Sequence, residues 1–586
     1  MIDVITNGNE LHVHNVPALE ADKMRLIPEA KYQLKNDVWV MPFTRAQAWA
    51  LSDVFGERLN PDLDLRHQVN LWLMDEKNQS DWRHGSMKGQ FDSRLYDYQS
   101  DGVGFLDSAG SALLADDMGT GKTVQALVWM AQQYRTLPLH AGPLHPQPGP
   151  PLEQRNHLVV CTNSMKYKWA EEAAVWYKEA EVTVIDGTKK QKAAQFEEYA
   201  EKGGILIINY EALRLHSALA HWAGSKKRTD AQKEEKELNA YKWHTVTMDE
   251  AHKAKDPSTL TSRALDYICS RSWYRLAMTG TPILNNPDDL WAIMRLIAPE
   301  EYGSRNNFRD RFCIIQPDYH QGFKNVGLRA DTRPSFDRLF MPRFLRRTKE
   351  EVLPQLPAKM PVDYRVMPMT TKQAKYYATM KKDMMSFIEE DFMSADGVLH
   401  QLTLLRQIAS GVPEVDPEKG QVIGITKDSN KLHALLDILT NMGDDSLVVY
   451  AESRKLIEMF DEQLQAKGYT TGLVTGAVGP AIRERNVKSF QAGNIQVMLG
   501  TLGAGAEGIT LTAADTVVLA QQSWSHATNA QAIDRVHRIG QERAVHPIVL
   551  VSKGTVDEAV RSADATKQDM LQDLVRDAEA LKRALG

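Results

Sequence analysis

The stretch Asp117-Met118-Gly119-Thr120-Gly121-Lys122-Thr123 follows an apolar segment and opens one of helical period, the setting of a phosphate-binding loop. Gly119 and Gly121 let backbone N–H groups turn toward phosphate oxygens at a helix amino end that already favours negative charge. In such a loop Lys122 sits against the β and γ phosphates and the Thr123 hydroxyl ligates Mg²⁺. Asp116 stands where the general pattern has glycine, so an ordinary glycine-rich turn is the competing reading. A second half-site comes at Asp249-Glu250-Ala251-His252, at the end of a β-rich run. Asp249 is placed to hold magnesium through its water shell and Glu250 to polarise an attacking water, although paired acids at a strand end can also cap the next helix. The two patterns in this order imply an ATP or GTP hydrolase. A third cluster, QAIDRVHRIGQ from Gln531 to Gln541, sets Arg535 and Arg538 three residues apart. On a helix the two guanidiniums would share one face and suit a phosphate; a solvated basic face beside Glu542 and Arg543 is the alternative.

These residues need a scaffold. Short β-branched runs recur between segments of helical period: HLVVCT, GILIINY, HTVTMDE and YRLAMTGT, then SLVVYAE, IQVMLGT, DTVVLA and HPIVLV. They read as buried parallel strands of α/β units, in two sets separated by roughly a hundred residues rich in helix and charge. Two open α/β lobes follow. The expected divisions are an accessory amino-terminal domain over 1–86, lobe 1 over 87–300, a helical insertion over 301–425, lobe 2 over 426–555 and a carboxy-terminal helix over 556–586. The stretch from Leu137 holds six prolines and reads as an extended surface loop. The stretch from Gly224 is a mixed-charge insertion. From Asn306 to Lys349 arginines alternate with aromatics, which fits either a phosphate-contacting surface or amphipathic helices with snorkelling arginines.

At 586 residues the chain exceeds one hydrophobic core, and 43% hydrophobic with 25% charged residues is ordinary for a soluble globular protein. No apolar run is long enough to span a membrane, and the amino terminus has neither the basic start nor the apolar stretch of a signal peptide. A cytoplasmic monomer is expected, nucleoid-associated or, if phage-encoded, in the host cytoplasm. Cys161, Cys269 and Cys313 have no disulfide or zinc spacing and read as buried small hydrophobes. With a net charge of −6, any nucleic acid must bind a local basic groove.

In sequence order, DDMGTGKT, DEAH, MTGTPILNN, FLRRTKEEVLPQLP and QAIDRVHRIGQ resemble the motifs of the SWI/SNF-type DNA translocases of helicase superfamily two. LYDYQSDGVGFL, INYEALR and LTLLRQIASGV add to the likeness, which runs from about Leu95 to Val560. The resemblance implies an α/β fold of two RecA-like parallel-sheet lobes, with helical insertions between them and a small α+β amino-terminal domain. It implies ATP and Mg²⁺ as cofactors, with Tyr98 and Gln99 at the adenine, since a glutamine amide suits the N7 and N6 edge. The nucleotide site it implies takes in Asp117, Met118, Gly119, Thr120, Gly121, Lys122 and Thr123, with Gly508 and Gln531. Thr279, Gly280 and Thr281 match its coupling motif. Thr162, Ser164, Thr501, Thr510 and Trp524 fall at its DNA-facing positions, with a packed core tryptophan as the other reading of Trp524. The first lobe shows no obvious arginine for the γ-phosphoryl group, and in the family the counterparts of Arg535 and Arg538 reach it from the second lobe.

The expected activity is ATP-driven translocation on duplex DNA, forked or branched DNA included, with remodelling, annealing or protein displacement as outcome. A strand-separating helicase and an ATP-switched factor acting on RNA polymerase or another protein complex are the alternatives. LIPEAKYQLKNDVWVMPFTRAQAWALSDVFG also resembles, through Trp39 and Pro42, the HARP-type module beside some annealing translocases. A small α+β domain packed on the first lobe is the plainer reading.

Overall fold

In the computed structural model, residues 1–27, 29–83, 92–135, 156–217, 236–280, 287–318, 322–389, 395–415, 422–505 and 509–563 are described. The proline-rich stretch from Leu137, most of the charged insertion from Gly224, Thr281, Gly508 and the tail beyond Ala563 lie outside them. Residues 118–120 aside, the chain divides into two compact units, one running to Val352 and the other starting at Leu353.

The first unit opens with a five-stranded sheet of β1 (Ile2–Asn7), β2 (Glu10–His14), β3 (Lys31–Gln33), β4 (Val38–Pro42) and β5 (Leu59–Pro61), ordered β3-β4-β2-β1-β5. The aromatic run around Trp39 is β4, and the helix Arg45–Phe55 follows it. That helix ties the module to the rest of its unit. Ala46 joins the core of the large sheet, Gln47 donates to the Glu300 carbonyl at 3.1 Å, and Asp53 takes Arg311 at 2.9 Å and Arg338 at 3.0 Å. In the arginine-rich stretch and just before it, Arg309 and Arg305 pair with Asp288, and Arg343 pairs with Glu301. These arginines are used inside the unit, as the alternation of charge and apolar surface allows.

The large sheet is built from β6 (Ala112–Leu114), β7 (His157–Cys161), β8 (Val182–Val184), β9 (Ile205–Asn209), β10 (Thr245–Asp249) and β11 (Tyr274–Met278), all parallel. Side chains alternate faces along each strand, so Leu158 and Val160 enter one apolar core and Val159 and Cys161 the other. Each fully buried aliphatic side chain contributes about 1.5–3 kcal/mol, which favours this two-sided burial of β-branched runs.

The stretch 301–425, expected as a helical insertion, also supplies strands. A hairpin pairs β12 (Cys313–Asp318) with β13 (Gly322–Leu328), and β14 (Phe344–Leu345) adds to the edge of the first sheet beside β6. β15 (Asp363–Met367) adds to the edge of the second sheet, and β16 (Pro413–Val415) pairs with β17 (Val422–Ile425). β14, β15 and β16, of two, five and three residues, carry no β-branched run to betray them.

The second unit's sheet contains β15, β18 (Leu447–Ala451), β19 (Thr471–Val474), β20 (Val497–Thr501), β21 (Thr516–Leu519) and β22 (His546–Ser552), ordered β15-β22-β21-β18-β20-β19 and parallel throughout. Again Leu447 and Val449 face one core and Val448 and Tyr450 the other. All eight runs picked out in the sequence are therefore strands of two parallel sheets. Among the described residues no helix is long and apolar enough to cross a membrane, and all three cysteines are free and buried.

Candidate active site

The register of the first sheet gathers three loops. Leu114 lies beside Met278, and Met278 beside Asp249, so the chain leaves β6, β11 and β10 at one edge, the carboxyl ends where open parallel sheets hold ligands. After β6 the loop turns at Gly119 (φ 80°) and Gly121 (φ 77°), left-handed conformations that glycine reaches without penalty, and the helix Lys122–Arg135 begins. Thr123 is that helix's second residue. The Lys122 ammonium donates to the Asp116 carbonyl at 2.7 Å and the Asp117 carbonyl at 2.9 Å. Burial lowers its pKa, opposed by the charges of Glu250, Asp116, Asp249 and Asp117.

Asp249 ends β10 and is held from several sides. Trp169 Nε1 donates to its carboxylate at 2.9 Å, the Glu250 backbone N–H donates at 3.0 Å, and the Tyr210 hydroxyl donates to its carbonyl at 2.7 Å. Burial, then the neighbouring Glu250 charge, push its carboxyl up to about 6. Glu250 itself has φ 52°, a left-handed backbone costing a non-glycine residue about 1–3 kcal/mol, the kind of strain concentrated at working sites. His252 Nδ1 lies 3.3 Å from both a Glu250 carboxylate oxygen and the Thr279 hydroxyl. A single imidazole thus connects the acidic motif to the buried Thr279, beside Gly280. Sequence reading passed over His252 because it weighed the two acids alone.

A divalent cation fits this chemistry. Among the described residues no cluster of three or more His, Cys, Asp or Glu could hold a metal unaided. Mg²⁺ commonly takes one or two protein oxygens together with substrate phosphates, and a buried carboxylate destabilised by a like charge is what a cation relieves. Asp249 and Thr123 are the residues that would hold it.

At the head of the site Gln99 is buried on the helix Asp97–Ala109, and its Oε1 accepts from the Tyr96 backbone N–H at 3.1 Å. Its Nε2 lies against Gly121, where a Cβ would collide with it. The Tyr98 ring is buried, with the Arg347 guanidinium 5.5 Å from its centroid.

The departure at Asp116 has a structural reason. Asp116 is fully buried and bidentate with Arg347, at 3.1 Å to Nε and 2.6 Å to Nη2, while Arg347 Nη1 donates to the Tyr98 carbonyl at 2.6 Å. Arg346 reaches the Asp117 carboxylate at 3.1 Å and the Ala115 carbonyl at 3.0 Å. These arginines follow β14, whose pairing with β6 sets them alongside the loop some 230 residues earlier in sequence. Two arginines thus stand beside this loop, both ion-paired to its own aspartates. Their motif was visible in the sequence, but its partner was not.

Further along this sheet edge, Thr162 is buried with its hydroxyl 3.1 Å from that of the exposed Ser164.

In the second unit the fragment that introduced Arg535 and Arg538 is not helical at the arginines. The helix His526–Ile533 includes Gln531 and stops before them; Arg535 and Arg538 lie in successive turns closed by Arg535 N–H to Ala532 and Arg538 N–H to Val536 carbonyls, both 3.2 Å. The glycine at 540 and the clamp of Gln541 explain the break. Gln541 Nε2 donates to the carbonyls of Ala514 (2.7 Å), Val536 (3.2 Å) and Thr512 (3.3 Å), folding the segment onto the loop after β20. Thr510 is brought to the arginines by that fold. The Leu511 N–H donates to the Arg535 carbonyl at 2.9 Å, and Arg538 Nη1 donates to the Ile509 carbonyl at 3.2 Å. The buried Nε of Arg535 has no hydrogen-bond partner among the described residues. Thr501 ends β20 and is partly exposed. Trp524 is partly buried against the small core of Tyr377, Leu402 and Leu405, with Arg406 5.5 Å from its ring centroid.

Comparison with known proteins gives two family matches: a SNF2-related domain over residues 66–411, more than half of the chain, and a helicase conserved C-terminal domain over 430–540. The chain is 27% identical over 564 residues to a DNA excision repair protein ERCC-6-like of Danio rerio, covering 84% of this chain and 36% of that protein. It is 28% identical over 488 residues to a chromodomain-helicase-DNA-binding protein 1-like of Mus musculus, covering 81% and 49%. It spans half or less of these relatives' own length. The SWI2/SNF2 ATPase core of Sulfolobus solfataricus, solved in complex with double-stranded DNA, aligns over 85% of this chain and 97% of that one, with 23% identity and a TM-score of 0.37. The chain belongs to the SNF2-related family.

Proposed function

We propose that this SNF2-related chain hydrolyses ATP and uses the energy to move along duplex DNA. The observation that carries the hydrolytic part is the grouping of Lys122, Asp249, Glu250, His252 and Thr279 at one edge of one parallel sheet. Lys122 would leave its two loop carbonyls for the β and γ phosphates, as the loop's glycines and the helix amino end favour. Glu250, held in a strained backbone, would orient the attacking water. Bound Mg²⁺ would supply charge neutralisation at the phosphates, held by Thr123 and Asp249. Arg535 and Arg538 take the role the resemblance assigns them, neutralising the transferring phosphoryl group. His252, 3.3 Å from both the Glu250 carboxylate and the Thr279 hydroxyl, would couple the acidic motif to Thr279, the residue matching the coupling motif.

Family membership and the DNA-repair and DNA-binding names of its relatives support DNA as the track. Phosphate contacts would make binding salt-sensitive and nearly blind to sequence. Remodelling of forks or displacement of bound proteins is the outcome we favour. The test is ATP hydrolysis by the purified chain with no nucleic acid, single-stranded DNA, duplex DNA or RNA, at low and moderate salt. Strong stimulation by duplex is expected, with Lys122→Ala losing about 10³-fold or more while circular dichroism stays unchanged. Stimulation by single strands alone would move the reading to a strand-separating helicase.

A further inference from the structure

We infer that Trp169 is a positioning residue for the reaction: its indole N–H sets the Asp249 carboxylate in the orientation that receives the cation. This rests on Asp249 being the metal-holding residue of a nucleotide site. Trp169 belongs to the helix Lys166–Trp176, and its Nε1 donates to Asp249 Oδ2 at 2.9 Å, across 80 residues of sequence. The other oxygen, Oδ1, accepts from the Glu250 backbone N–H at 3.0 Å. The Tyr210 hydroxyl, at 2.7 Å, holds only the Asp249 carbonyl. Either carboxylate oxygen could meet the Glu250 N–H, so that bond alone does not fix the plane of the group. A second donor on the second oxygen does.

The donor is itself immobile. Trp169 is fully buried, in one core with Val159, Cys161 and Ala173, and an indole can only donate. Buried indoles usually find an acceptor, and backbone carbonyls serve Trp243 and Trp291 of this unit. Trp129 shares the core of Trp169, yet its buried Nε1 has no hydrogen-bond partner among the described residues. This core thus accommodates an indole without an acceptor, and the carboxylate is not needed to satisfy the tryptophan. The bond serves Asp249. Donors placed behind a metal ligand orient it, and removing one typically costs about 10- to 100-fold in metal affinity.

The experiment separates cation from nucleotide. ADP is titrated calorimetrically into the full chain with Mg²⁺ present and with EDTA in its place, and electron paramagnetic resonance follows Mn²⁺ binding to the chain with ADP. Trp169→Phe keeps an aromatic ring and loses the donor. It should weaken Mg²⁺-ADP and Mn²⁺ about tenfold and leave metal-free ADP within about twofold. Trp129→Phe, the same exchange in the same core with no hydrogen bond to lose, should bind all three as the wild type does. Trp169→Phe with wild-type affinity for Mg²⁺-ADP overturns the inference. Equal losses with and without metal, or the same loss in Trp129→Phe, overturn it too, since the ring would then act through packing. If Asp249→Asn binds Mg²⁺-ADP and Mn²⁺ as the wild type does, the metal-holding reading itself fails, a result distinct from any outcome at Trp169.

Discussion

The phosphate-type loop of the first unit and the arginine turn of the second use their charges differently. In the first, every prominent charge has a partner nearby: Arg347 with Asp116, Arg346 with Asp117, Lys122 on two loop carbonyls. In the second, Arg538 reaches the Ile509 carbonyl, while the Arg535 Nε is buried with no hydrogen-bond partner among the described residues. A buried guanidinium nitrogen without an acceptor is costly unless an anion comes to it. The contrast teaches that the first unit is organised to hold a shape and the second to offer a charge. Residues of the first should matter to stability as well as function, and Arg535 mainly to function.

The sharpest way to break this comparison is Arg535→Ala. Hydrolysis is expected to fall by about 10³- to 10⁵-fold in kcat, the range for an arginine supplied to a transferring phosphoryl group. The urea midpoint should hardly move, because Nε makes no hydrogen bond to lose. A variant that kept its turnover would end the arginine assignment, and one that unfolded would end the contrast. Arg347→Met asks the converse. It leaves Asp116 buried and unpaired, and a loss of about 3–5 kcal/mol is expected by chemical denaturation. A near-neutral result would show that the loop tolerates an uncompensated carboxylate.

The smallest effect concerns another internal pair of the first unit. Asp186 accepts from Lys166 at 2.8 Å and from the Tyr167 hydroxyl at 2.7 Å. Burial works the other way, yet these hydrogen bonds hold its carboxyl down at about 2. A lowered folded-state pKa stabilises at pH above the unfolded value of 3.8 and ceases to as pH falls toward about 2. Asp186 is partly exposed, so the contribution is a fraction of what full burial would give. Denaturation midpoints of wild type and Asp186→Asn at about pH 5 and about pH 3 should converge at the lower pH. A gap that stays constant would assign the effect to packing rather than charge.

The sequence by itself determined the two parallel sheets and the identity of the loop residues. Buried parallel strands need continuous apolar runs, and a tight anion-binding turn needs glycine followed by lysine and threonine; both requirements are local and are written in adjacent residues. The Gly119-to-Thr123 loop and the Asp249-Glu250 pair were legible for that reason. The tertiary structure alone decided what Asp116 is for, since its partner Arg347 arrives beside it only through the pairing of β14 with β6. It also decided that Arg535 and Arg538 leave the helix, because Gln541 pulls their segment onto the carbonyls of Thr512 and Ala514. Spacing in a sequence predicts a shared helical face only where no distant hydrogen-bond partner offers the backbone another path. Ion pairs and clamps between residues far apart in the chain are set by strand order and register, which no local pattern encodes.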